Sequence, residues 1–299
     1  MLPIIDTHQH LWDLSRFTLH WAAGSPALAR NYLQSDYAAA TKGVNVVKAI
    51  YMEVDVDESQ QVAEAEYIID QCQRDDNPTV GAVISGRPAA DGFRTYVQRF
   101  KDSPYIKGVR QVVHGAGTPP GYILQPAFVK GIQLLGDAGL SFDICVRPGE
   151  LSDAVKLVDQ CPGTQFILDH CGNANPYLIA DPAMEPTPDS EYPLHTRDQW
   201  MADIQQLAAR PNVVCKISGI VAQARPGWSA ATLAPTVNHC LNSFGPDRVI
   251  FGGDWPVCTL GAPYADWAAA LRQIIASRSE EEQAKLLSKN AERIYRLAA

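Results

Sequence analysis

Short apolar runs alternate along this chain with stretches of helical periodicity. The runs at residues 4–8, 46–54, 79–85, 106–113, 142–147, 165–170, 213–218 and 248–254 predict strands. Several are near-continuous and β-branched, as in strands covered on both faces. Three of the intervening stretches carry clear apolar stripes: Val62, Ala65, Ile69 and Cys72; Phe128, Ile132 and Leu135; Trp267, Leu271, Ile274 and Ile275. Gly139 and Gly245 fall where helices would stop. Eight strands alternating with helices predict an α/β fold, a parallel (β/α)8 barrel. An extra amphipathic helix is expected over residues 280–297.

Two connections are too long for simple turns. Residues 11–33 follow the first strand and carry Trp12, His20 and Trp21. Residues 173–196 follow the sixth and carry Pro176, Pro182, Pro186, Pro188 and Pro193. Both leave strand C-termini, so both are expected to cover the active face of a barrel.

Composition narrows the function. A chain of 299 residues with 46% hydrophobic content can bury a large core in one barrel domain. Its net charge of −8 and lack of a basic run disfavour nucleic-acid binding. No apolar run approaches the ~20 residues of a membrane span. The seven cysteines are irregularly spaced with no C-x-x-C, which fits reduced thiols and predicts a cytoplasmic protein. The sequence leaves homo-oligomer formation open.

The chemistry concentrates at strand ends. His8 and His10 form a His-x-His at the end of the first run and are expected to share a face. Such a pair suits a metal ion, or two hydrogen bonds to a substrate oxygen. Asp254 ends the last run in Gly-Gly-Asp-Trp-Pro and is a candidate general base. His170 ends the sixth run; Cys171 beside it reads as packing. Glu53, Arg110, His114 and Arg147 are rim candidates for holding hydroxyls or a carboxylate. Lys216 and Ser218 share one face of the seventh run. Trp12, Trp21 and Trp255 could stack on a sugar ring. His20 and His195 are weaker candidates in the long connections, and His239 reads as structural.

These residues resemble the amidohydrolase superfamily, in its sugar-lactonase branch. That branch includes L-fuconolactonase and 2-pyrone-4,6-dicarboxylate lactonase. The resemblance rests on Ile5-Asp6-Thr7-His8-Gln9-His10-Leu11-Trp12, Ile167 to Gly172, Asn212 to Gly219 and Phe244 to Cys258. It spans nearly the whole chain and implies one barrel domain over residues 1–299. It implies a sugar lactone of the L-fucono- or L-rhamnono- type as substrate, opened to the hydroxy acid. Asp254 would be the base, and His8, His10 and His170 would polarise the carbonyl. Binuclear members carry a bridging lysine on strand four and a histidine on strand five; here those strands offer Arg110 and Arg147. Two metals are therefore not expected. No metal is strictly required, while one zinc on His8, His10 and Asp254 remains compatible. The competing readings are a metal-dependent decarboxylase of an aromatic or enoic acid, and a non-catalytic sugar-acid-binding barrel.

Overall fold

The computed structural model describes residues 1–115, 117–184 and 195–297. Its strands are β1 (Ile4–Gln9), β2 (Val46–Met52), β3 (Thr79–Ser85), β4 (Ile106–Val112), β5 (Ser141–Cys145), β6 (Phe166–Leu168), β7 (Val213–Ile217) and β8 (Val249–Phe251). They form one eight-stranded sheet in sequence order, and every ladder is parallel. The sheet closes where Gln9 bridges Trp255, supported by Thr7 Oγ1 donating to the Phe251 carbonyl at 2.6 Å. This is the expected (β/α)8 barrel. A helix follows each strand, among them Gln61–Cys72, Pro126–Asp137, Arg197–Ala208 and Ala230–Phe244. None of the helices among the described residues is long and apolar enough to cross a membrane.

Two apolar bodies hold this architecture. The larger lies between strands and helices and includes Phe128, Ile132, Leu135, Trp200, Trp267 and Leu271. The smaller fills the lower barrel with Ile5, Ile50, Met52, Val83, Ile167, Val214 and Ile250. Ala291 and Tyr295 from the last helix belong to that second body. The terminal segment therefore forms the barrel floor. It runs Glu280–Ala284, a π turn Lys285–Lys289, then Asn290–Ile294.

The expected helix stops are present: Gly139 and Gly245 have φ of +69° and +70°. One stripe is rotated from its expected position. In Gln61–Cys72 the inward residues include Glu64, Ala65, Ile68 and Cys72, while Val62 and Ile69 are only partly buried. Tyr51 hydroxyl and Val54 N–H both donate to Glu64 Oε1, at 2.9 and 2.8 Å, which turns that acid inward.

The connection over residues 11–33 is a packed segment. Phe17, Leu19, Ala22 and Leu28 are buried, and Trp12 and Tyr32 exchange backbone hydrogen bonds of 2.9 Å. The second long connection holds a short helix, Pro176–Ala180. Pro186, Pro188 and Pro193 lie outside the described residues.

Candidate active site

Inward-facing residues recur every two positions along a strand, so each strand contributes to successive layers. On β7 the series is Val214 in the floor, then Lys216, then Ser218. On β8 it is Ile250, Gly252 and Asp254. The middle layer is charged and sealed: Asp143, Lys216, Asp169, Arg110 and Glu53 are all buried. Lys216 Nζ lies 2.7 Å from Asp143 Oδ2 and 2.8 Å from Asp169 Oδ1. Arg110 Nε donates to Glu53 Oε1 at 2.6 Å, and its Nη1 lies 3.3 Å from Asp169 Oδ2. Burial opposes the Asp169 charge, yet Lys216 and His8 hold its pKa well below the usual carboxylate range. Asp143 goes the other way: burial, with Asp169 adding to it, pushes it up to about 7.

His8 stands on this layer. Lys216 Nζ lies 3.3 Å from its Nδ1, and Arg110 Nη1 lies 3.3 Å from its Nε2. Burial, with Lys216 and His170 adding to it, holds its pKa well below the ordinary value and keeps the ring neutral. Room for this ring comes from Gly252, where a Cβ would fall 2.8 Å from that of His8. Asp6, beneath, accepts from the backbone N–H groups of His8 (3.0 Å) and Gly253 (2.7 Å), and from Tyr37 hydroxyl (2.7 Å). It thus pins β1 to the turn that presents Asp254.

The upper layer brings together His8, His10, His170 and Asp254. Asp254 Oδ1 lies 3.6 Å from His8 Nε2 and 3.4 Å from His10 Nε2. The His8 and His170 rings are 4.5 Å apart, and those of His8 and His10 4.8 Å. The expected shared face is therefore present, although β1 ends at Gln9 and its pairing with β2 shifts register between Asp6 and Gln9.

His170 arrives by a different route from the expected strand end. The sixth strand stops at Leu168, and His170, Cys171, Gly172 and Asn173 form a left-handed turn with φ of 54°, 53°, 70° and 54°. Each non-glycine residue there costs about 1–2 kcal/mol. The turn is held by Trp200 Nε1 donating to the Cys171 carbonyl (2.9 Å) and Asn173 Nδ2 to that of Val146 (2.7 Å). It turns His170 inward and Cys171 outward, against Cys215 and Cys240. Cys171 is fully buried there, as expected of a packing residue.

The remaining candidates separate. Glu53 and Arg110 pair beneath the histidines, Glu53 with no exposed surface and Arg110 touching His8. His114 lies exposed at the rim. Arg147 pairs with Glu150 and donates to the carbonyls of Gly115 (3.1 Å) and Thr118, bracing the loop after β4. Trp12 corrects an expectation: its side chain is 0% exposed and its indole N–H donates to the Arg30 carbonyl, so no ring face is open to a ligand. Trp21 is 40% exposed, tethered to the Val54 carbonyl at 2.7 Å. Trp255 is buried against Tyr32 and Tyr37. His20 faces Asp57 on the surface, and His239 bonds the Met201 carbonyl as a structural residue. Asp143 and Asp169 were not singled out from the sequence. The available signal was an acid inside an otherwise apolar strand.

The His8, His10 and Asp254 ligand atoms lie within 4.8 Å of one another. A tetrahedral zinc with bonds near 2.0–2.1 Å sets ligand edges of about 3.4 Å. The distances of 3.4 and 3.6 Å fit. His10 Nδ1 bonds the Met52 carbonyl at 2.9 Å, and a carbonyl only accepts, so Nδ1 carries the proton. A neutral His10 then turns a bare Nε2 lone pair toward a carboxylate oxygen, an arrangement that a cation or proton between them resolves. Arg110 sets its guanidinium beside Asp169 and His8, 3.3 Å from each.

Known proteins are similar to this chain over most of its length. L-fucono-1,5-lactonase of Burkholderia multivorans is 27% identical, covering 98% of this chain and 96% of that protein. L-rhamnono-gamma-lactonase of Scheffersomyces stipitis is 25% identical over 87% of each. The solved structure of an amidohydrolase from Burkholderia multivorans with bound zinc has a TM-score of 0.82 at 25% identity, covering 99% of this chain and 100% of that one. The amidohydrolase family model matches residues 5–297, and this chain belongs to that family.

Proposed function

We propose that this protein hydrolyses a neutral sugar-acid lactone, of the L-fucono- or L-rhamnono- type, to the hydroxy acid. The observation that carries the reading is Asp254, a buried carboxylate opposed by His8 and His10 and beside His170 at the open end of the barrel. A pure binding protein has no use for a base set against imidazoles. The two lactonases similar to this chain support the substrate class. Charge supports neutrality of the ring: Arg110 and Arg147 are each already paired with a carboxylate, so neither is left over for a dicarboxylate substrate.

Asp254 takes a proton from water as the oxygen attacks the lactone carbonyl. Its Oδ1 faces the two imidazoles, leaving the other oxygen for the proton. His170 donates a hydrogen bond to the developing oxyanion. Collapse breaks the ring C–O bond, and Asp254 returns its proton to the leaving alkoxide. His8 Nε2, His10 Nε2 and Asp254 Oδ1 would hold a zinc ion, which when bound supplies Lewis acidity to the carbonyl or to water.

The test is a pH-indicator assay on a panel of aldonolactones and 2-pyrone-4,6-dicarboxylate, before and after chelation. Ring opening yields an acid that releases a proton, so acidification of a neutral aldonolactone is expected. Asp254→Asn should lose about 10²–10⁴-fold in kcat with its melting temperature retained. Silence across the panel from folded, zinc-supplied protein would overturn the reading.

A further inference from the structure

Ser218 follows β7 on the same inward face as Lys216, and its side chain is fully buried. Its Oγ lies 3.3 Å from the backbone nitrogen of His170 and 3.0 Å from Nδ1 of the same residue. A backbone N–H can only donate, so Oγ accepts there. The hydroxyl hydrogen still needs an acceptor, because a buried donor stripped of water and left without a partner is destabilising. Among the described residues, Nδ1 of His170 is the one group in hydrogen-bond reach that can accept it. Were Nδ1 protonated, two N–H donors would face Oγ and the hydroxyl hydrogen would have no partner. The ring has little freedom to turn away. It lies against Gly219, where a Cβ would fall 2.3 Å from Nδ1 and 2.4 Å from Cγ.

We infer that Ser218 is a positioning residue that locks His170 as the Nε2–H tautomer, making it a hydrogen-bond donor toward the substrate. His10 is held differently, with a proton on Nδ1 bonded to the Met52 carbonyl and with Nε2 toward Asp254. The site therefore divides its imidazoles by task. His10 turns Nε2 to the cation or proton that bridges it to Asp254, and His170 is a donor suited to an oxyanion. Its partner in catalysis is the carbonyl of the lactone, so the functional half of the inference rests on the lactonase reading. The tautomer itself does not.

Histidine-labelled ¹⁵N protein, zinc-free and zinc-loaded, tests the tautomer by two-bond proton–nitrogen correlation. The His170 signals are identified by their loss in His170→Gln. Protonated Nε2 and bare Nδ1 are expected in the wild type, and a population shift toward Nδ1–H in Ser218→Ala. On the best lactone, Ser218→Ala is expected to lose about tenfold or more in kcat with KM little changed. Ser218→Thr, which restores the hydroxyl, is expected to recover both signals. Nδ1–H in the wild type would overturn the inference. So would a Ser218→Ala variant that loses kcat with its tautomer unchanged, or keeps kcat after the tautomer shifts. If the wild type turns over no lactone yet His170 is Nε2–H, the lactonase reading fails and the Ser218 lock stands.

Discussion

Glu64 illustrates how much a single side chain can decide. Its Oε1 takes two hydrogen bonds, while Oε2 has no partner. Burial, with Glu53 adding to it, pushes its pKa up to about 8, against 4.5 in an open chain. A carboxyl raised on folding contributes its stability below the unfolded value and loses it as the pH rises through the folded one. The protein is therefore expected to lose thermal stability between about pH 5 and pH 9. Glu64→Gln should flatten that fall, read as melting temperature across the range. Nothing in the sequence marked Glu64 as inward, because it sits beside apolar Val62 and Ala65 in a stripe that reads well without it. His8, His10, His170 and Asp254, which the fold brings together, stood out for the opposite reason. A polar residue closing an apolar run on a buried strand has few uses besides chemistry. Trp12 failed that logic: an indole at a loop entrance can stack on a ligand or fill a core, and only the packing against Tyr32 and Trp21 decides.

At the scale of elements, strand cores were readable and strand ends were not. β6 and β8 stop at Leu168 and Phe251, short of the polar residues they were expected to carry. The chain leaves extended geometry there for positive-φ turns at His170 and Asp254. Those turns are held by distant partners, Trp200 and Asp6, which local pattern cannot name. The charged layer was half visible, since Glu53, Arg110 and Lys216 stood out while Asp143 and Asp169 did not. β7 now yields a sharp prediction. Lys216→Met removes the cation shared by Asp143 and Asp169 and leaves two acids facing each other in the barrel. It should cost about 3–5 kcal/mol, measured by denaturant unfolding. A cost under 1 kcal/mol would mean that the layer is neutral without its lysine.

For the whole molecule, eight strands and a terminal helix were evident from periodicity, because length and alternation admit few other folds. The helix's role as floor was not, since an amphipathic stripe does not say what it covers. Tyr295→Ala would open a cavity beneath Lys216 and should cost about 3–5 kcal/mol. As the floor lies at the far end from Asp254, kcat of the folded fraction should hold while melting temperature falls. The closure of the barrel carries a consequence for its synthesis. Thr7 meets Phe251 across 244 positions of chain, and Tyr295 comes later still. A ribosome delivers β1 first and must deliver almost everything else before β1 gains its second neighbour. Until then Lys216, Asp143 and Arg110 stay wet, so their dehydration is deferred to the last act of assembly. The charged layer is in that sense sealed only when the first and last strands meet.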